Sequence, residues 1–345
     1  MNKKILSTAI IATFSIGVVT AAEACTRLLW DTKSNGTFVS RTLDWSEQTN
    51  PHLMNVPKDS AYLTHFENSH QLVSKYDVTG VTTYGVITDG MNSAGLSGNM
   101  LYDRGMETEP TSDVNDIGSL NYLKHLLAQF SSVEEAVKFV EANPAKTEFV
   151  EGVPIRIALH ISLQDTTGDS AIIEFREEGP RIWHGEQYTV MTNQPDYDQH
   201  LANVERSKRG WGELEGQYSQ TNLGTGGNAN PEDRFIHSSY YMGHLTEPSS
   251  VINGMVKLDA ATYKIPHDAP NVPIDGVMAG YATEYALNYH LQSGETLMRY
   301  QWGDDYTQLQ YNIKSIQESG KHIEFQLIQP GLIGEITEHI INSAQ

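Results

Sequence analysis

Apolar and polar residues alternate most regularly from Ile155 to Gln164. There Ile155, Ile157, Leu159, Ile161 and Leu163 stand against Arg156, His160, Ser162 and Gln164. A period of two predicts a strand with unlike faces. Shorter strand-like runs surround it. Thr26-Arg27-Leu28-Leu29-Trp30 and the stretch from Thr37 to Leu43 flank Ser34-Asn35-Gly36, the pattern of a β-hairpin closed by an Asn-Gly turn. Tyr84 to Thr88 and Gly95 to Tyr102 predict a second pair across a polar loop, Asp89-Gly90-Met91-Asn92-Ser93. Further strands are expected from Ala171 to Phe175 after a turn at Asp165 to Asp169, then from Tyr188 to Thr192, Tyr285 to Leu291, Thr296 to Trp302 and His322 to Ile328.

Apolar spacing becomes helical from Ile117 to Phe130, and Ser132-x-x-Glu135 opens another helix as a capping box that Asn143-Pro144 stops. A helix beginning near Pro231 carries Arg234 to Leu245, and one more spans Ser249 to Leu258. Residues 201–233 are polar and glycine-rich and read as a long excursion outside the core. Strands cluster at the ends and middle with helices grouped between them, which favours α+β layers over alternating βαβ units.

The first 24 residues stand apart. Lys3 and Lys4 precede an apolar run from Ile5 to about Thr20, and Ala22-Glu23-Ala24 has the A-x-A form that signal peptidase cuts. A spanning helix is weakened by Ser7, Thr8, Thr13, Ser15, Gly17 and Thr20, so the expectation is a cleaved signal peptide, residues 1–24, and an exported, periplasmic protein. Cys25, the only cysteine in 345 residues, would then be the first residue. A single cysteine excludes an intramolecular disulfide. It also combines a thiol with a free α-amine whose pKa, roughly 7.7–8.0, leaves much of it an unprotonated base near neutral pH. A lipidated anchor is the competing use of such a cysteine, though Ala22 and Glu23 stand where lipoprotein sites usually have other residues.

Net charge is −20, and losing the leader makes it one unit more negative. Such a surface repels nucleic acid and anionic lipid headgroups, so no nucleic-acid partner and no stable membrane association after signal removal are expected. Cys25 lacks the C-G-[SA]-C-[WY] context of a papain-like site, the histidines show no H-E-x-x-H or paired metal spacing, and Gly224-Thr225-Gly226-Gly227 lacks the lysine of a phosphate loop. Arg41 and Asp44 lie on the returning strand of the first hairpin, where a cation would favour thiolate and a carboxylate could hold the amine. Three residues apart, they point to opposite faces of an ideal strand. Either the strand ends or bulges there, or only one of them reaches the sulfur.

Cys25, Arg41-Thr42-Leu43-Asp44-Trp45, Asp89-Gly90-Met91-Asn92-Ser93-Ala94-Gly95-Leu96 leading to Leu101-Tyr102, and Met191-Thr192-Asn193-Gln194-Pro195 together resemble the choloylglycine hydrolase family of penicillin V acylases and conjugated bile salt hydrolases. The resemblance covers nearly all of residues 25–345 in order. It implies a single N-terminal nucleophile hydrolase domain, a four-layer αββα sandwich, that cleaves linear amides without metal or organic cofactor. Cys25 would be the nucleophile, Asp44 would hold its amine and Arg41 would sit beside the thiol. The Tyr102 backbone N–H and the Asn193 side chain would form the oxyanion hole, Arg234 would be the late active-site arginine, and Trp45 a wall of the substrate pocket. A small-molecule acyl amide is the implied partner: penicillin V, an N-acyl homoserine lactone, or a bile salt conjugate as the alternative. An inactive exported binding protein or lipoprotein on the same scaffold is the non-enzyme alternative. Some relatives are homo-oligomers, and the segment between His200 and Arg234 is shorter here than the assembly segment of tetrameric ones.

Overall fold

Asn35 and Gly36 close the first hairpin, joining β1 (Thr26–Thr32) to β2 (Gly36–Asp44). Gly36 has φ +77°, and a Cβ there would meet the Gln292 side chain at 2.4 Å, so both the turn and the space require glycine. Pairing sets Arg27 opposite Arg41 and Thr26 opposite Thr42. Cys25, one residue before β1, therefore lies beside the end of β2. The computed structural model describes residues 25–45, 47–65, 69–148, 158–211, 229–267, 272–274, 277–279 and 281–344.

The chain continues through β3 (His52–Val56), a small ribbon of β4 (Ala61–Leu63) and β5 (Gln71–Val73), then β6 (Val78–Thr83), β7 (Val86–Asn92) and β8 (Ser97–Tyr102). Asp89 thus lies inside a strand and not in the polar loop that the sequence suggests. The actual turn is tighter and is organised by Asn92, whose Oδ1 accepts from the backbone N–H groups of Ala94 and Leu96. Helix α1 (Ser119–Gln129) has no side-chain cap of its own. Glu148 instead accepts from the Leu120 N–H, satisfying one of the orphan donors of the first turn. In α2 (Val133–Ala142) Ser132 accepts from the Glu135 N–H as a capping box requires, while the Glu135 carboxylate returns to Ser131, one residue earlier.

Four strands follow: β9 (Leu159–Gln164), β10 (Ser170–Arg176), β11 (Gly179–His184) and β12 (Val190–Thr192). Ile155 and Ile157 lie outside the described residues. Helix α3 (Tyr197–Trp211) corrects the reading of an excursion over residues 201–211, since Val204 of this helix is buried in the core; residues 212–228 lie outside the described residues. In α4 (Pro231–Met242) Asn230 accepts from the Asp233 N–H and proline takes the first position, where its missing donor does no harm. After α5 (Val251–Ala261) come a short ribbon, β13 (Val272–Ile274) and β14 (Val277–Ala279), and the antiparallel strands β15 (Thr283–His290), β16 (Glu295–Trp302) and β17 (Asp305–Asn312). The chain closes with α6 (Ile313–Glu318), β18 (Ile323–Gln326), β19 (Gly334–Glu335) and α7 (Thr337–Ser343).

Two large sheets result. One has seven strands in the order β12-β1-β2-β15-β16-β17-β19, the other eight in the order β11-β10-β9-β8-β7-β6-β3-β18. Helices α4 and α5 pack on the first, and α1 and α2 on the second. This is the α+β, four-layer αββα arrangement the resemblance implies. The alternation in β9 now has a meaning. Ile161 and Leu163 join the apolar cluster under α1 and α2, while Ser162 and Gln164 face inward between the sheets, and the whole strand is buried.

The inter-sheet space carries apolar residues and a hydrogen-bonded polar layer. Arg27 donates to Gln164 Oε1 at 2.6 Å, to Ser170 Oγ and to the Tyr188 carbonyl. Tyr289 Oη meets Ser97 at 2.9 Å and Asn99 at 3.1 Å, and Asn99 donates to Asp89 at 2.8 Å. These pairings offset the desolvation that buried polar groups would otherwise suffer. Among the described residues, no helix is long and apolar enough to cross a membrane.

Candidate active site

Cys25 is 2% exposed. Its Sγ lies 3.9 Å from Arg41 Nη2 and 3.9 Å from the Asp44 backbone carbonyl. The spacing of Arg41 and Asp44 is resolved by using both faces of β2. Arg41 points between the sheets, with Nη1 2.8 Å from Asp89 Oδ2 and donating to Tyr285 Oη at 2.7 Å. The Asp44 carboxylate points toward the helix layer, accepts from Thr283 Oγ1 at 2.6 Å and Thr42 Oγ1 at 3.4 Å, and lies 3.9 Å from Arg234 Nη1. Opposite it, β15 shifts register between Thr283 and Tyr285. Arg41 brings its side chain to the sulfur, and Asp44 brings its main chain.

In the full-length chain the Cys25 nitrogen is a peptide amide, and its N–H donates to Asn193 Oδ1 at 2.6 Å. Arg234 Nη2 donates to the same oxygen at 3.1 Å. Its Nη1 donates to the Cys25 carbonyl and to Thr26 Oγ1, and its Nε to the Ala229 carbonyl. Asn193 Nδ2 in turn donates to the Tyr102 carbonyl at 2.9 Å. Cys25, Arg41, Asp44, Tyr102, Asn193 and Arg234 are therefore one connected group, drawn from the residue before β1, from β2 and β8, from the residue after β12 and from the start of α4. Trp45 is half-buried just beyond β2, its indole N–H donating to Tyr84 Oη at 3.0 Å.

Sequence reasoning missed Thr26, Thr42, Thr283, Asp89 and Tyr285 as parts of this group. Asp89 stands in the Asp89-Gly90-Met91-Asn92-Ser93 motif, whose polarity predicts a loop where the structure has a strand. The three threonines and Tyr285 carry no signal that separates them from ordinary strand residues.

Burial dominates the electrostatics. It works against the Arg41 cation, but Asp89 foremost, then Tyr285, Cys25 and Asp44, outweigh it and hold the guanidinium above its ordinary value. Burial raises Asp44 to about 7, opposed by Arg234, Thr283, Arg41 and Thr42. It lowers Arg234, opposed first by Asp44 and then by Cys25. A guanidinium facing the sulfur, that of Arg41, offsets part of what burial costs a thiolate there.

A buried thiol faced by a guanidinium on an αββα scaffold is suited to nucleophilic attack on a carbonyl carbon. Over residues 25–270 the chain matches the linear amide C–N hydrolases, choloylglycine hydrolase family, and belongs to it. It is 29% identical over 274 residues to the penicillin V acylase of Pectobacterium atrosepticum, covering 74% of this chain and 70% of that one. It is 30% identical over 188 residues to a bile salt hydrolase/transferase of Clostridium perfringens, covering 52% and 56%. Among solved structures, penicillin V acylase from Agrobacterium tumefaciens superposes with a TM-score of 0.75 at 24% identity, covering 91% of this chain and 96% of that one. A variant of conjugated bile acid hydrolase from Clostridium perfringens gives 0.68 at 21%, covering 82% and 92%.

Proposed function

We propose that residues 1–24 are removed on export and that Cys25, then the first residue, hydrolyses acyl amides in the periplasm through a thioester. The observation that carries this reading is the Cys25 nitrogen held on Asn193 beside a sulfur faced by Arg41. Support for the boundary comes from Ala22-Glu23-Ala24, the A-x-A pattern directly before Cys25.

After cleavage the nitrogen becomes an amine and a base. It takes the thiol proton as sulfur attacks the amide carbon, and passes it to the leaving nitrogen as the C–N bond breaks. Water then adds to the thioester, giving one proton to the amine; the acid departs and the proton returns to sulfur. Asn193 has a second N–H beyond the one given to Tyr102, and with the Tyr102 backbone N–H it is assigned to the oxyanion, where one donor is worth roughly 2.7–4 kcal/mol. Asp44, which burial raises to about 7 in the full-length chain, is assigned to the amine after processing.

For the acyl group we favour an aryloxyacyl or long-chain substituent, as in penicillin V or an N-acyl homoserine lactone. The similarity to a penicillin V acylase over 74% of the chain supports this, as does the aromatic edge of Trp45 and Tyr84 at the end of β2. Conjugated bile salts are the second reading, favoured by the similarity to a bile salt hydrolase/transferase. The deciding experiment is intact mass of the exported protein with amine release from penicillin V, a long-chain acyl homoserine lactone and glycocholate. A free Cys25 terminus and fastest release from either of the first two is the expected result. Faster turnover of glycocholate overturns the substrate preference, and a lipidated terminus without turnover overturns the enzyme reading in favour of an anchored binding protein.

A further inference from the structure

A cleft opens on the outer side of the eight-stranded sheet, where α1 and α2 meet the β4–β5 ribbon. Its volume is about 340 Å³, at the low end of the roughly 300–1,000 Å³ of small-molecule sites. Leu72, Ile117 and Phe139 supply apolar walls, and Thr64 and His125, 2% and 4% exposed, lie deepest.

Among the described residues, Thr64 Oγ1 and His125 Nε2 are both buried and have no hydrogen-bond partner, although nearly all such groups in folded proteins have one. The hydrogen bonds behind His125 fix what it offers. Gln129 Nε2 donates to Tyr62 Oη at 2.8 Å, and that oxygen lies 2.9 Å from His125 Nδ1. Burial keeps the phenol protonated, raising it to about 12, and keeps the imidazole neutral, lowering it to about 4. Among the described residues the acceptor for the Tyr62 proton is Nδ1, so the ring proton sits on Nε2. His125 therefore presents an unused N–H to the cleft, with the Thr64 hydroxyl as a second polar group.

We propose that this cleft is a binding site for a small neutral molecule with an apolar body and a carbonyl oxygen, the oxygen taken by His125 Nε2–H and Thr64 Oγ1–H. Charge selects a neutral ligand over an acid. Among the described residues no lysine or arginine lines the cleft, whose other titratable side chain is His70; Lys75 acts on His125 from outside that lining; the chain carries −20, and an ionised carboxylate buried without a direct counter-charge is strongly disfavoured.

The test uses 2-heptanone, which offers a carbonyl but no amide for Cys25 to cleave, with heptanoate as the anionic counterpart. Binding is followed through the imidazole nitrogen and proton shifts of His125 and by calorimetry. Saturable binding of the ketone with a shift at His125 Nε2–H is expected, heptanoate binding more weakly. Thr64→Val removes only the unpartnered hydroxyl. His125→Asn keeps an acceptor for Tyr62 while deleting Nε2–H. Each should weaken the ketone by about 2- to 10-fold, the range of one neutral hydrogen bond. No saturable binding, meaning that water alone fills the cleft, tighter binding of heptanoate, or unchanged affinity in both variants would each overturn the proposal. Thr64→Val keeps the test decisive where His125→Asn impairs folding.

Discussion

Asp89 Oδ2 and Arg41 Nη1 lie 2.8 Å apart, with both side chains at most 1% exposed, so the cation facing the Cys25 sulfur is anchored by an anion from the opposite sheet. Removing one partner of a buried pair leaves a charge without compensation, at a cost of about 3–5 kcal/mol. Asp89→Asn should lose stability on that scale in urea unfolding. Tyr285→Phe, which deletes a neutral donor and acceptor from the same group, should lose about half as much or less. Parent-like stability in Asp89→Asn would show that the ion pair does not hold the sheets.

Asn193 has separable roles at its two side-chain atoms. Asn193→Asp keeps an acceptor for the Cys25 nitrogen but deletes the N–H donors. Under the proposed mechanism kcat should fall about 10²–10³-fold, the loss typical of one oxyanion donor, with KM little changed. A fall confined to KM would remove Asn193 from the transition state.

One extra residue placed before a processed Cys25 turns its base back into a peptide nitrogen while leaving the thiol in place. Amide hydrolysis should disappear while alkylation of the thiol continues, and Cys25→Ala should lose both. Full activity with the added residue would exclude the amine as base.

Glu284 gives a pH test outside the catalytic group. Its carboxylate accepts from the Thr49 N–H at 2.9 Å and Oγ1 at 2.7 Å, and burial raises it to about 7 against those bonds. The folded protein therefore keeps a proton that the unfolded chain releases near pH 4.5, and the associated stability, about 3 kcal/mol, is lost as pH rises through 7. His125, His160 and His200 act in the opposite sense: burial lowers each to about 4, so their contribution is lost as pH falls from 6.5 toward 4. Because the parent profile sums both, the informative quantity is the difference in unfolding midpoint between Glu284→Gln and parent. It should grow in favour of the variant from pH 4.5 to 7.5, and a flat difference would contradict the assignment.

Helix α5 comes so close to β2 that a Cβ on Gly254 would meet the Phe38 ring at 2.4 Å. Phe38 is buried between Trp30 and His290 and has little room to move. Gly254→Ala should therefore be destabilising, by about 1–3 kcal/mol in thermal unfolding, although alanine is the better helix former.

The hairpin that brings Arg41 and Asp44 back past Cys25 was legible in the sequence because Asn35-Gly36 announces a turn and apolar strands flank it. Arg234 was legible as a family position, and Asn230-Pro231 marks the helix start that aims it. Other parts were hidden for a common reason. Arg27, Asn99, Gln164 and Asp89 are polar, and polarity along a chain reads as surface or loop. Here hydrogen bonds across the interior let those residues be buried, so the polar face of β9 is as enclosed as its apolar one. Helix α3 escaped detection because its polar content matches that of the glycine-rich stretch after it.

Apolar surfaces accept many partners and slide at little cost, whereas donors and acceptors must meet atom for atom. The layer joining Arg27 to Gln164 and Arg41 to Asp89 therefore works as a set of keys between the two sheets. Cys25 leads into a strand of one sheet, and the Tyr102 peptide, joined to it through Asn193, belongs to the other. Alignment across the site is thus inherited from the middle of the molecule, and drift between the sheets would first have to unlock those keys.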